Sequence, residues 1–239
     1  MAVRCTINGD GAELTATLTG TLGMADAGHV RAYLFKCLAE QPDALFVDLA
    51  GLSVDDPLAL AVFSAVNRQA ARWPGIPVLY CGTTPPIREM LASGAYRRLP
   101  VVASVELARE AVRAEWRSVP SLIDDVLPIA GAARQARNMA TEACSRWDLP
   151  DLVAPASVIA GELVTNVVDH ANTMATLRIS LRQRYVTIGV RDGSTEEPRR
   201  VSPGPMGGRG LMLVEAMAHS WGWLPVEGGK VVWASLRRG

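Results

Sequence analysis

A carboxylate and a carboxamide lie one helical turn apart in the second half of this 239-residue chain. Residues 162–171 are predicted to be helical, and the four-residue spacing of Glu162 and Asn166 places both on one face. A carboxamide oxygen is a suitable ligand for Mg²⁺, and a neighbouring carboxylate can orient or deprotonate a nucleophile. An amphipathic helix with two exposed polar residues explains the same pair, so these residues alone leave both interpretations open.

A second acidic group follows a predicted strand about twenty residues further along the chain. Residues 186–190 are rich in β-branched side chains, and Asp192 and Gly193 come directly after them. A carboxylate held at the end of a strand can accept a hydrogen bond from an exocyclic amine such as that of adenine. The same dipeptide is equally typical of an Asp-Gly turn.

A glycine-rich loop leads into an apolar helix near the end of the chain. Gly208, Arg209, Gly210 and Leu211 span this transition. Glycine lets a backbone approach an anion closely, and the free N–H groups at a helix start attract phosphate. The spacing fits neither a P-loop nor a dinucleotide-binding fingerprint, and a flexible loop before a helix is the simpler alternative.

The three segments, taken together and in this order, resemble the GHKL ATPase superfamily, a Bergerat-type α/β sandwich that binds ATP with Mg²⁺. The closest likeness is to its anti-sigma-factor serine kinase branch, over residues 127–236. The resemblance implies that Asn166 holds Mg²⁺ and that Glu162 is the catalytic or water-orienting acid. It also implies that the nucleotide contacts Asn166, Asp192, Gly193, Gly208, Arg209, Gly210 and Leu211.

Some residues near these segments depart from the family pattern or have an ordinary structural explanation. Val231 stands where the family usually has a threonine that helps to hydrate the adenine-reading aspartate, which predicts weaker nucleotide binding. Lys230 is explained by a Gly-Gly hairpin turn. Asp169 is expected to be a solvated helix residue, and His170 to pack beneath the nucleotide-binding helix.

The first 115 residues predict alternating strands and helices. Predicted strands cover 13–19, 44–49, 76–81 and 102–104, and predicted helices cover 24–40, 57–71, 86–93 and 105–115. This alternation is typical of an α/β domain with a largely parallel sheet.

Residues 3–114 resemble a STAS domain, the fold of anti-sigma-factor antagonists, and residues 47–56 carry the signature strand and loop. Regulated members continue with D-S-S-G, of which one serine is phosphorylated. This chain has D-P-L-A at 56–59, and Leu58, at the phosphoacceptor position, cannot accept phosphate. Asp56 is interpreted as a helix cap, and mimicry of a permanent phosphate by the two adjacent acids is the less favoured alternative.

Composition limits the function classes. The 24 basic and 24 acidic residues balance, and the absence of a long basic stripe argues against nucleic acid as a direct partner. No apolar run approaches the length of a membrane span and no signal peptide opens the chain, so no membrane association and a cytoplasmic location are expected. Four scattered cysteines suit a reducing compartment, and the alanine- and arginine-rich composition is typical of a GC-rich bacterial genome.

The sequence therefore predicts a STAS-like α/β domain at 1–115, a linker at 116–126 and a GHKL ATPase domain at 127–239. The predicted function is an ATP-binding regulatory switch of the anti-sigma-factor type, with a serine/threonine protein kinase activity implied by the resemblance. The implied partner is a sigma factor or a STAS-domain antagonist, and homodimerisation is left open. The alternative is a catalytically inactive interaction scaffold with a vestigial nucleotide pocket.

Overall fold

The computed structural model describes residues 2–9, 13–115, 119–198 and 210–239. The chain divides into two compact units, unit 1 (Met1–Ser118) and unit 2 (Val119–Gly239). Each unit contains its own five-stranded sheet and its own apolar core.

The described residues of unit 1 form five strands and four α-helices. The strands are β1 (Arg4–Gly9), β2 (Glu13–Leu22), β3 (Ala44–Val54), β4 (Val78–Cys81) and β5 (Val101–Val102), and the helices are α1 (Met24–Ala39), α2 (Ala61–Arg72), α3 (Pro85–Ala92) and α4 (Val105–Glu115). The sheet order is β1-β2-β3-β4-β5, with β1 antiparallel to β2 and the remaining neighbours parallel. The prediction of an α/β unit with a largely parallel sheet is confirmed.

The central strand β3 is buried on both faces. Leu45, Val47 and Leu49 join an apolar cluster that includes residues of α1 and α2. Phe46 belongs to a second cluster, together with Ala108 of α4. The continuous apolar sequence of this strand therefore reflects burial from both sides, as is typical of parallel sheets covered by helices.

Asp56 caps the turn that follows β3. Its Oδ1 accepts a hydrogen bond from the backbone N–H of Leu58 at 2.8 Å. Pro57 begins the 3₁₀ turn Pro57–Leu60, which continues directly into α2. Leu58 is 69% exposed, so the position that the STAS resemblance assigns to the phosphoacceptor is an accessible apolar residue.

The described residues of unit 2 form an antiparallel sheet and three α-helices. The strands are β6 (Ser121–Val126), β7 (Ala175–Leu181), β8 (Tyr185–Asp192), β9 (Ser220–Val226) and β10 (Gly229–Arg237), and the helices are α5 (Ala132–Arg146), α6 (Pro150–Asn166) and α7 (Gly210–Met217). The sheet order is β6-β7-β8-β10-β9. Residues of α5, α6, α7 and the sheet share one apolar cluster, and the predicted α/β sandwich is confirmed.

The linker prediction at 116–126 is wrong for residues 121–126. These residues form the edge strand β6, which pairs antiparallel with β7. Thr176 Oγ1 donates to Asp125 Oδ1 across this pair at 2.8 Å, and Gln135 Nε2 donates to Asp124 Oδ2 at 2.8 Å. Pro120 suggested a linker, but proline is also compatible with the approach to an edge strand.

One helix among the described residues is long and apolar enough to cross a membrane. It runs over Pro150–Ala171, with a mean hydropathy of 1.4. The expectation that no segment reaches this length is therefore wrong. Ile159, Leu163 and Val164 of this helix lie in the core of unit 2, and that burial accounts for its apolar composition.

Candidate functional site

Strand register brings the end of β8 against the start of β10. Asp192 lies opposite Lys230, with Ala175 of β7 on its other side. Directly opposite residues of an antiparallel pair point to the same face, so the two charged side chains meet. Both are buried, with side-chain exposures of 4% for Lys230 and 0% for Asp192.

The two carboxylate oxygens of Asp192 have different surroundings. Oδ1 accepts hydrogen bonds from Lys230 Nζ at 2.9 Å and from the backbone N–H of Ser194 at 2.8 Å. Oδ2 is buried and has no hydrogen-bond partner among the described residues. A buried oxygen without a donor is costly, so a water or ligand donor that reached it would be stabilised.

Lys230 is a site residue that the sequence analysis missed. The hairpin explanation predicts a surface lysine, but its Nζ bonds Asp192 and also donates to the backbone oxygen of Ser194 at 3.2 Å. A buried ammonium is tolerated because these acceptors replace its hydration. The sequence signal that could have identified Lys230 is its place at the start of the strand that pairs with the strand ending in Asp192.

Val231 does not occupy the position beside the aspartate. It pairs with Arg191, is fully buried and, by strand alternation, points to the opposite face of the sheet from Lys230. The side chain of Val231 therefore does not contact Asp192, and the weaker nucleotide binding predicted for this departure stays a prediction. Lys230 is the residue whose side chain accompanies Asp192.

A cavity of about 270 Å³ lies beside the ion pair. Helix α6 ends at Asn166 and continues into a π-helical turn, Val167–Ala171. Isolated π-helical turns are frequent at functional sites. The cavity is lined by Asn166, Asp169, His170, Ser194, Glu196, Glu197, Pro198 and Lys230.

The π-helical turn carries Asp169, which is exposed as expected for a solvated residue, and His170, whose surroundings the sequence did not predict. Asp169 and His170 are exposed and face the same cavity as Asn166, so the expectation that His170 packs beneath the helix is wrong. Asn172 ends the turn in the left-handed region, at φ 48°. The turn departs from regular helical spacing, and a pattern that assumes 3.6 residues per turn therefore misplaces the side chain of His170.

Glu162 lies half-buried on α6, one turn before Asn166. A Cβ added to Gly210 would lie 2.8 Å from Glu162 Oε2, so the first residue of α7 lies close to this carboxylate. Leu211, which follows, is 8% exposed and packs in the core. Of these predicted residues, Glu162 and Gly210 therefore meet, while the side chain of Leu211 points into the apolar interior.

Three predicted nucleotide-binding residues remain to be placed, namely Gly193, Gly208 and Arg209. The backbone N–H of Gly193 donates to Thr173 Oγ1 at 3.0 Å and is therefore engaged within the protein. Gly208 and Arg209 lie outside the described residues. The predicted contacts of Gly208 and Arg209 with phosphates stay predictions.

The described part of the cavity wall is acidic. Asp169, Glu196 and Glu197 contribute three carboxylates, whereas Lys230 is already paired with Asp192. A triphosphate entering this cavity would be repelled unless a divalent cation screened the like charges. Asn166 supplies the kind of oxygen ligand that Mg²⁺ accepts, so the wall fits a magnesium nucleotide better than a free one.

Residues 129–236 match the family model described as "Histidine kinase-like ATPase domain". This match spans the candidate site and confirms the predicted resemblance of the C-terminal half to this ATPase superfamily. A domain of the histidine kinase-like ATPase type implies ATP binding.

Three solved structures are similar to parts of the chain. The RsbU and RsbW domains of a Mycobacterium tuberculosis protein share 19% identity at a TM-score of 0.39, over 50% of this chain and 32% of that one. An anti-sigma factor antagonist from Mycobacterium paratuberculosis shares 18% identity at a TM-score of 0.40, over 47% and 95%. The phosphorylated Bacillus cell fate determinant SpoIIAA shares 14% identity at a TM-score of 0.38, over 46% and 100%. The comparison with curated proteins found no match.

Proposed function

We propose that this protein is an ATP-binding regulatory switch of the anti-sigma-factor type. Unit 2 binds ATP with Mg²⁺, and its nucleotide state controls the binding of a sigma factor or a STAS-domain antagonist. Unit 1 is a STAS-like docking module that cannot be phosphorylated at Leu58. Phosphotransfer to a serine or threonine of the partner is the activity proposed for unit 2.

The observation that carries this proposal is the placement of Asn166 on one cavity wall with Ser194 and Lys230, within the segment that matches an ATPase family. Asn166 and the strand pair are separated by more than twenty residues of sequence, yet the fold joins them. A small, partly enclosed cavity with a few convergent polar groups is the usual form of a ligand site.

A role is proposed for each of the predicted site residues. Asn166 offers its amide oxygen to Mg²⁺, which when bound neutralises charge between the phosphates and the acidic wall. Glu162 lies against Gly210 and is the proposed base or orienting group for the hydroxyl that accepts phosphate. The backbone around Gly208 to Leu211 is proposed to hold the phosphates at the start of α7.

Calorimetric titration tests nucleotide binding directly. ATP with Mg²⁺ should bind the wild-type protein, and Asn166→Ala should weaken binding by about 10-fold or more because a metal ligand is lost. Asp151→Asn is the matched control, since Asp151 is exposed in the first turn of the same helix. Absence of heat with the wild-type protein would exclude nucleotide binding by unit 2.

An inactive interaction scaffold is the second candidate function, because the ion pair with Lys230 buries the Asp192 carboxylate. In this arrangement Asp192 has no exposed side-chain surface, which is what a vestigial pocket would show. Incubation with γ-labelled ATP and candidate STAS proteins separates the two functions, with Glu162→Gln as the catalytic control. Label transfer to a serine supports the kinase, whereas nucleotide binding without transfer supports a ligand-gated scaffold.

The docking role of unit 1 has its own test. Leu58 is exposed in the loop after β3, where an apolar side chain can contact a partner without disturbing the core. Leu58→Asp should abolish co-purification of the partner and leave the circular dichroism spectrum of the protein unchanged. Unchanged capture of the partner would remove this loop from the docking surface.

A further inference from the structure

The two oxygens of the Asp192 carboxylate are not equivalent, and Lys230 is one cause of the difference. Lys230 Nζ donates to Oδ1 at 2.9 Å, and the backbone N–H of Ser194 donates to the same oxygen at 2.8 Å. Oδ2 is buried and has no hydrogen-bond partner in the part of the chain that the structure describes. Because both donors hold Oδ1, they also fix the direction in which the unpaired oxygen points.

The basic residue beside Asp192 is of a type that this chain rarely uses. Lys36 and Lys230 are the two lysines among the 24 lysine and arginine residues of the chain. An arginine guanidinium is a planar fork that frequently bonds both oxygens of a carboxylate, whereas an ammonium group is a compact charge. Lys230 engages Oδ1 and compensates the buried charge without using Oδ2.

The neighbouring cavity gives a ligand a route to this oxygen. Ser194 and Lys230, which supply the two donors to Oδ1, both line the cavity. The side chain of Asp192 has no exposed surface, so contact requires a small displacement of the cavity wall. A hydrogen bond to a buried carboxylate oxygen that lacks a donor offsets such a displacement. The ligand must supply an N–H or O–H group, because an ionised carboxylate can only accept.

We propose that Lys230 determines the base specificity of unit 2 by holding the Asp192 carboxylate so that Oδ2 can accept a hydrogen bond from the exocyclic amine of adenine. This inference rests on the proposed function, because it assumes that a nucleotide occupies the cavity. Asp192 keeps the contact that the family resemblance assigns to it. Lys230 is a positioning residue, which acts through the carboxylate.

Calorimetric titration with ATP and with purine riboside triphosphate, which lacks the amine, tests this inference. The wild-type protein should bind ATP at least about 10-fold more tightly than the analogue. Lys230→Arg keeps the positive charge but bonds both carboxylate oxygens, so this preference should fall below about 3-fold in a protein that circular dichroism shows to be folded. Lys36→Arg is the matched control, because Lys36 is exposed, and it should keep the wild-type preference.

The ratio of the two affinities separates positioning from a merely structural role. Equal weakening of both nucleotides in Lys230→Arg would leave the preference unchanged, and that outcome would overturn the assignment. Equal binding of the two nucleotides by the wild-type protein would overturn it as well. If the wild-type protein binds neither nucleotide, the proposed function itself fails, so the two failures are distinguishable.

Nuclear magnetic resonance of the wild-type protein gives a second test that does not depend on the folding of a variant. Labelling with ¹⁵N-lysine places signals at Lys36 and Lys230 alone. The Lys230 ammonium signal should persist on saturation with ATP and shift more than with purine riboside triphosphate, while Lys36 stays unchanged. Loss of the Lys230 signal through rapid exchange with water would show that ATP opens the ion pair, which contradicts the proposal.

Discussion

The two units use aspartates near their strand ends in different ways. In unit 1, Asp56 is half-buried and accepts a solvent-exposed hydrogen bond from the N–H of Leu58, two residues away. In unit 2, Asp192 is buried and accepts from Lys230, 38 residues further along the chain. The first carboxylate stabilises the turn that starts α2, whereas the second ties strand β8 to strand β10.

The difference shows how burial changes the consequence of a single side chain. The solvent-exposed hydrogen bond of this cap can be replaced by one to water, so its loss costs only the cap. The buried carboxylate has no such substitute, because its charge is compensated by one ammonium group and one backbone N–H. Substitutions at the two places should therefore differ severalfold in their effect on stability.

Removal of the ammonium group should have the largest effect. Lys230→Met leaves the charge of Asp192 buried without its cation, which should lower the free energy of unfolding by about 3–5 kcal/mol. Urea titration of the variant against the wild-type protein measures this loss.

A double variant provides the control for that result. Adding Asp192→Asn to Lys230→Met removes the uncompensated charge and should recover part of the lost stability, so the two changes should not be additive. Additive losses, or a loss below about 1 kcal/mol in the single variant, would mean that the pair contributes little.

Alkaline pH should destabilise unit 1 through Cys37. Burial raises the pKa of the Cys37 thiol from 9.0 to about 12. The unfolded chain loses this proton first as pH rises, so the contribution of Cys37 to stability is complete below pH 9.0 and is lost between 9.0 and about 12. At pH 10.5 this loss amounts to about 2 kcal/mol.

Hydrogen exchange followed by mass spectrometry resolves this effect within unit 1. Exchange of β3 peptides should accelerate between pH 8 and pH 10.5, beyond the intrinsic effect of pH on exchange. Cys37→Ala has no titrating thiol and should show a flatter dependence despite its smaller side chain. A dependence equal to that of the wild-type protein would assign the alkaline effect to other groups.

Loss of the Asp56 cap should have a smaller effect. Asp56→Ala removes the acceptor for the Leu58 N–H and should lower stability by about 1 kcal/mol. Asp56→Asn retains a side-chain oxygen and should be close to the wild type. Thermal unfolding of both variants measures the difference, and a loss above about 3 kcal/mol would contradict a purely local role.

Local features of both units could be predicted from the sequence. The Asp56 cap, the strands around Phe46 and Ile188, and the helix that carries Glu162 and Asn166 all follow from short patterns whose causes lie within a few residues. β1 was not predicted, because its exposed pattern shows little apolar alternation and its pairing with β2 creates the strand. The edge strand β6 was also missed, because it is mostly exposed and its pairing with β7 creates the strand.

The candidate site could be predicted only in part. Asn166 and Glu162 were found because a four-residue spacing is visible in the sequence. The role of Lys230 depends on which residue of β10 lies opposite Asp192, and a shift of one residue exchanges Lys230 for Val231 and reverses the face. Register of this kind is set by tertiary pairing, so a short sequence pattern does not show which of the two side chains lies beside Asp192.

The exposed ion pair on α5 should have the smallest effect, although its atoms are closer together. Arg146 Nη2 and Glu142 Oε1 are 2.6 Å apart, compared with 2.9 Å for Lys230 and Asp192, but their side chains are 61% and 52% exposed. Water and salt screen such a pair, so Glu142→Gln should cost less than about 0.5 kcal/mol. Urea titration of Glu142→Gln and Lys230→Met under identical conditions separates the influence of distance from that of burial. Equal losses would mean that distance governs these pairs, whereas a difference of several-fold in the predicted direction assigns the energy to burial.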